Sequence, residues 1–111
     1  VQTCALPIFR LALVVEAKHL NKNGVVHGGM LSTLLDNALA AKVVAESGTR
    51  LVATISLNVE FVAGAKLGDL IEADPEIIRV TRSVVFVRGV LKVGGAVVAM
   101  ANGVWKILDR K

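Results

Sequence analysis

A single carboxylate, Asp36, stands in the middle of an apolar helical pattern within residues 21–41, NKNGVVHGGMLSTLLDNALAA. Aspartate is a poor helix former and is costly to desolvate unless it is paired or placed for chemistry. The positions three and four residues away hold Ser32, Thr33, Leu39 and Ala40, so its own helix offers it no ion pair. Ser32 and Ala40 are small and share its face, which leaves room for a ligand. Eight residues earlier, Gly28 and Gly29 follow His27 where the helix should begin. Glycines there let a ligand approach the backbone closely, and the unpaired N–H groups of the first turn, with the helix dipole, favour an oxygen that gains negative charge. An oxyanion hole is built in this way. Taken alone, each feature has a plainer reading: an aspartate satisfied by a strand or a subunit edge, and a Gly-Gly pair that only makes a tight turn.

The elements that must position these groups follow from periodicity and turn residues. Residues 9–18 alternate loosely and read as a first strand, and residues 19–26, with Asn21, Asn23 and Gly24, read as a loop. Apolar residues at Met30, Leu31, Leu34, Leu35, Ala38, Leu39 and Ala41 predict a helix from Gly28 to about Glu46. The breadth of that stripe predicts burial on most sides, and Gly48 suits the position after the last turn. Four strand-like runs follow at 51–63, 69–79, 83–93 and 96–108, the last two joined through Gly94-Gly95 as a hairpin. The predicted class is α+β: a five-stranded antiparallel sheet with one long helix against one face.

A chain of 111 residues is one domain's worth of core. It is 54% hydrophobic and only 4% aromatic, which predicts aliphatic sheet packing, with some apolar surface covered by another subunit. Charged residues interrupt every apolar run before the ~18 residues of a membrane span, so a soluble protein without a membrane partner is expected. The net charge of +4 is scattered, with no basic run, and nucleic acid is not an expected partner. One cysteine, Cys4, permits no intrachain disulfide and fits a cytoplasmic location. His19 and His27 have no close carboxylate or thiol companion, so no metal site is expected. Residues 1–8, VQTCALPI, match the translated end of a common sequencing-library adapter and are expected to be a non-native leader, leaving residues 9–111 as the domain. Trp105 is expected in the core, and Glu16, Glu60, Asp69 and Glu72 in solvent.

The combination Asn21, five residues, His27-Gly28-Gly29, seven residues, Asp36, continued by Asn58, Phe61 and Ala65-Lys66-Leu67-Gly68-Asp69, resembles the hotdog-fold acyl-CoA thioesterases of the phenylacetate-degradation (PaaI-like) type. The resemblance covers roughly residues 9–108. It implies a hotdog fold, one long central helix wrapped by a five-stranded antiparallel sheet, and hydrolysis of a small aromatic or medium-chain acyl-CoA. It implies that the Gly28 N–H, helped by the Asn21 side chain, polarises the thioester carbonyl, that Asp36 is nucleophile or general base, and that the Thr54 hydroxyl positions the water or the acid. His27 then orients the loop, Gly29 and Ser32 line the substrate site, and Arg82, with Arg79, Arg88 and Lys66, is a candidate for the coenzyme A phosphates. No cofactor is implied beyond coenzyme A as part of the substrate. The alternatives are a dehydratase-like protein, with His27 as base and Asp36 as acid, and a non-hydrolytic acyl-CoA binding module.

Distance adds an expectation that needs no family. Eight helical residues span about 12 Å, whereas reacting atoms sit ~3–3.5 Å apart. One carbonyl cannot touch Gly28 and Asp36 of the same chain. The site is therefore expected to be shared in a homodimer, with Gly28 and Asn21 from one subunit and Asp36 and Thr54 from its partner. Strand pairing along residues 51–63 would protect an apolar edge, and a homotetramer of two such dimers is what the resemblance further implies.

Overall fold

The computed structural model describes residues 11–49 and 51–108. Residues 1–8, expected to be a leader, with Cys4, and the first two residues of the expected opening strand lie outside them. Five strands, β1 (Leu11–Val14), β2 (Val52–Phe61), β3 (Leu70–Val80), β4 (Val84–Val93) and β5 (Ala96–Ile107), and one helix, α1 (Gly28–Ser47), follow one another as strand, helix, four strands. The strands form one antiparallel sheet in the order β1-β3-β4-β5-β2. This is the α+β hotdog architecture that the sequence predicts.

Alternation decides which face meets the helix. Val85, Val87 and Leu91 of β4, and Ala99, Ala101 and Trp105 of β5, are buried under α1, while Phe86, Arg88, Met100 and Asn102 between them are exposed. From α1 the stripe Leu31, Leu34, Leu35, Ala38, Leu39 and Val43 enters the core. Each buried Leu or Val among them contributes about 1.5–3 kcal/mol of transfer free energy before cavity and entropy terms. Gly89 lets the helix sit this close: a Cβ there would come within 2.7 Å of the Leu39 side chain. Pro75, inside β3, lies opposite Gly89 of β4.

Two expectations are corrected. The opening strand is shorter than residues 9–18, because Glu16 begins a 3-10 turn over Ala17–His19. Its backbone N–H donates to His19 Nδ1 at 2.8 Å, a local bond that competes with strand extension. The helix is exposed along one stripe, Gly29, Thr33 and Asn37, and at Ala45 and Glu46 near its end, and is buried or half-buried on its other sides, as expected. Asp69 does not simply face solvent: its carboxylate accepts the Lys66 N–H at 2.8 Å and closes the 66–69 turn. Gly48 takes the left-handed conformation after α1, at φ 75°, and Trp105 is in the core, both as expected.

Candidate active site

The N-terminus of α1 is held from three directions before any ligand is considered. His27, the residue before the first turn, donates its N–H to the His19 carbonyl at 3.0 Å, and the Val26 N–H donates to the Ala65 carbonyl at 2.9 Å. Leu20 and Val26 form a bridge across the loop. Within the loop, Asn21 Oδ1 accepts the N–H groups of Asn23 at 2.8 Å and Val25 at 3.3 Å. The side chain is thus a brace on its carbonyl side and offers a substrate only its amide N–H groups. The His27 ring makes no capping hydrogen bond and is exposed, so the expected orienting role is carried by the His27 backbone.

Gly28 and Gly29 open the helix, where first-turn N–H groups lack intrahelical acceptors. Nothing lies within 4 Å of a Cβ placed on Gly29, but one on Gly28 would meet the Phe61 ring at 3.1 Å. Phe61 ends β2 and is 57% exposed. With Val25, Leu31, Val62 and Gly64 it lines a groove of about 390 Å³ beside Gly28. Sequence reasoning placed Phe61 only within the resemblance. The signal available was an aromatic at the end of an otherwise aliphatic strand.

Asp36 lies two turns further along α1 and is half-buried in this chain. Thr54 Oγ1 donates to Asp36 Oδ1 at 2.9 Å. The sheet explains why that hydroxyl arrives there: Thr54 is opposite Trp105, and the register of β2 against β5 slips between Thr54 and Ser56. An extra residue, Ile55, re-aims the strand at that point. A hydrogen bond to a carboxylate restricts its rotamer and leaves the second oxygen outside that bond. Ser32, also half-buried, stands one helical turn before Asp36.

Two pairs of the predicted residues therefore come together, Gly28 with the Asn21 loop and Asp36 with Thr54. The pairs remain apart, because α1 is unbroken from Gly28 to Ser47 and eight residues of helix measure about 12 Å. Arg82 is exposed in the turn after β3, at the Thr54 end of the sheet and not at the Gly28 end. Arg88 Nε pairs with Glu76 at 2.9 Å on the sheet face away from α1. Among the described residues no three of His, Cys, Asp and Glu gather as metal ligands, and no helix is long and apolar enough to cross a membrane.

One long helix wrapped by a five-stranded antiparallel sheet defines the hotdog fold. The family model for the Thioesterase superfamily matches residues 23–100. The chain belongs to that superfamily and is a thioester hydrolase. It is 32% identical over 98 residues to a candidate esterase of Pseudomonas aeruginosa, covering 87% of this chain and 73% of that one. Among solved structures it is similar to a phenylacetic acid degradation-related candidate thioesterase of Ralstonia eutropha JMP134, with a TM-score of 0.80, 33% identity, and 88% and 74% of the two chains covered. It is also similar to the BH2602 protein of Bacillus halodurans solved with CoA, with a TM-score of 0.82, 28% identity, and 90% and 67% covered.

Proposed function

We propose that the protein hydrolyses an acyl-CoA thioester, with a small aromatic or medium-chain acyl group, in a site shared by two subunits. The observation that carries this reading is the pairing of Thr54 Oγ1 with Asp36 Oδ1, two turns of helix away from the Gly28 N–H. Gly28 and the Asn21 amide of one subunit polarise the carbonyl, and Asp36 of the partner either takes a proton from the attacking water or attacks the carbonyl carbon itself, expelling the CoA thiolate to leave an acyl-aspartyl anhydride that water then hydrolyses. As the water oxygen bonds to the carbonyl carbon, charge collects on the carbonyl oxygen and is met by the N–H groups. The C–S bond then breaks, the thiolate takes up a proton, and free acid and CoA leave. A thiolate departs without the acid catalysis that an amine needs, which fits a site with one carboxylate. His27, Gly29 and Ser32 line the substrate path and Arg82 meets a CoA phosphate. The assembly is a homodimer, two of which build a tetramer, and its setting is the cytoplasm. Solved relatives that hold CoA or acetyl-CoA support the substrate class.

The test is a panel of acyl-CoAs followed by free-thiol release. Turnover of aromatic or medium-chain members is the expected result. Absence of release from every member would favour the non-hydrolytic binding module. On the best substrate, Thr54→Ala removes one hydrogen bond to a partly solvated carboxylate, and kcat is expected to fall roughly tenfold with little change in KM. An unchanged kcat would remove Thr54 from the machinery.

A further inference from the structure

Beyond the end of β1, the Val15 N–H donates to the Asp69 carbonyl at 2.9 Å and the Val15 carbonyl accepts the Gly68 N–H at 3.0 Å. The next donor along the chain, the Glu16 N–H, goes to a side chain instead, His19 Nδ1 at 2.8 Å. The His19 N–H returns to the Glu16 carbonyl at 2.9 Å, and the two bonds close the 3-10 turn Ala17–His19. The His19 carbonyl accepts the His27 N–H at 3.0 Å. One buried residue, 9% exposed, thus ties the end of β1 to the residue before Gly28. We infer that the His19 imidazole is a positioning residue for thioester hydrolysis: Nδ1 fixes the turn that places the His19 carbonyl, and that carbonyl fixes the chain entering α1. The inference rests on the reading of the Gly28 N–H as an oxyanion donor.

Two adjoining peptides carry the effect. The His27 carbonyl accepts the N–H groups of Met30 at 3.0 Å and Leu31 at 3.2 Å, so the peptide joining His27 to Gly28 lies along α1. In a trans peptide the N–H points opposite to the carbonyl, which aims the Gly28 N–H out of the helix start. The preceding peptide, joining Val26 to His27, is held by His19. His27 turns between the two at φ −55° and ψ 136°, outside the helical region, and the first turn keeps its aim while the chain entering it is held. The ring suits this task because Nδ1 is bonded directly to Cγ and so lies close to its own main chain. Accepting an N–H there places the ring proton on Nε2. An apolar side chain of similar bulk would leave the part-buried Glu16 N–H without this acceptor, and the desolvation penalty would favour opening of the turn. A small displacement of the Gly28 N–H then weakens its bond to the charge that develops in the transition state more than it weakens substrate binding.

The choice of amide tests this in the full chain. Asparagine carries an acceptor, Oδ1, at the place of Nδ1, whereas the glutamine amide reaches the place of Nε2. His19→Gln is expected to lower kcat for thiol release roughly tenfold with KM little changed, and His19→Asn to restore it to within about threefold of wild type. Amide NMR of the isotopically labelled chain reads position without chemistry. The His27 and Gly28 signals should shift or broaden in His19→Gln and stay near their wild-type places in His19→Asn. Long-range nitrogen NMR of the wild-type ring, which needs no substitution, should show the proton on Nε2. A proton on Nδ1, or the same kcat in the two variants, would overturn the positioning role and leave acyl-CoA hydrolysis standing. A Gly28 signal displaced in His19→Gln alone, in a protein that releases thiol from no acyl-CoA, would uphold the tie between His19 and the helix start and overturn the hydrolytic reading.

Discussion

Asp36→Asn is expected to lower kcat for acyl-CoA hydrolysis by roughly 10²–10⁴-fold, the range for losing a positioned base or nucleophile. The substitution keeps an oxygen that can accept the Thr54 hydroxyl, now 2.9 Å from Asp36 Oδ1, so the fold and KM should change little. It removes the charge and the basicity that either chemical role requires. Thiol release in single-turnover and steady-state modes measures the effect, and circular dichroism checks the fold. A kcat within a few-fold of wild type would exclude Asp36 from the chemistry and leave the helix start as the only assigned catalytic element.

The expectation is specific because the environment of Asp36 is understood. Its helix provides no cation, as the residues three and four positions away dictate, and the structure provides a hydroxyl. That hydroxyl comes from β2, whose register slip next to Thr54 turns the side chain toward α1. Nothing in local sequence periodicity announces a slip of this kind, because it is a property of how two strands pair. The link between Thr54 and Asp36 came from the family resemblance, not from the residues.

Other parts of the molecule were open to elementary reading. The i, i+3, i+4 recurrence from Met30 to Leu39 located α1, and Gly48 marked its end. Gly94-Gly95 marked the hairpin between β4 and β5, with both glycines at positive φ. Apolar alternation located four of the five strands to within two residues. The opening region failed, because the Glu16 N–H bond to His19 Nδ1 depends on a buried imidazole that strand propensity does not anticipate. The loop before the helix was read as polar and glycine-containing, but its anchoring through the Ala65 carbonyl and the Asp69-closed turn joins segments forty residues apart. Asn21 illustrates the same limit: its type suggested a donor to substrate, and its carbonyl oxygen is spent bracing its own loop. Strand pairing across a subunit boundary is further removed still, since it is set by what two edges together can satisfy.

If one active site takes its oxyanion donors from one chain and its carboxylate from another, mixed dimers will reveal it. Asp36→Ala chains lack the carboxylate and Asn21→Ala chains lack the amide donor, and each preparation alone should be nearly inactive. In a dimer containing one of each, one of the two sites receives Gly28 and Asn21 from the first chain and Asp36 and Thr54 from the second, all intact. Random exchange of equal amounts makes half the dimers mixed, so activity should return to about one quarter of wild type for an isologous pair. Exchange can be followed independently by mass spectrometry with one preparation isotopically labelled. Recovery near one quarter is the predicted result. Full exchange with no recovery would contradict the shared site and require one chain to supply every group.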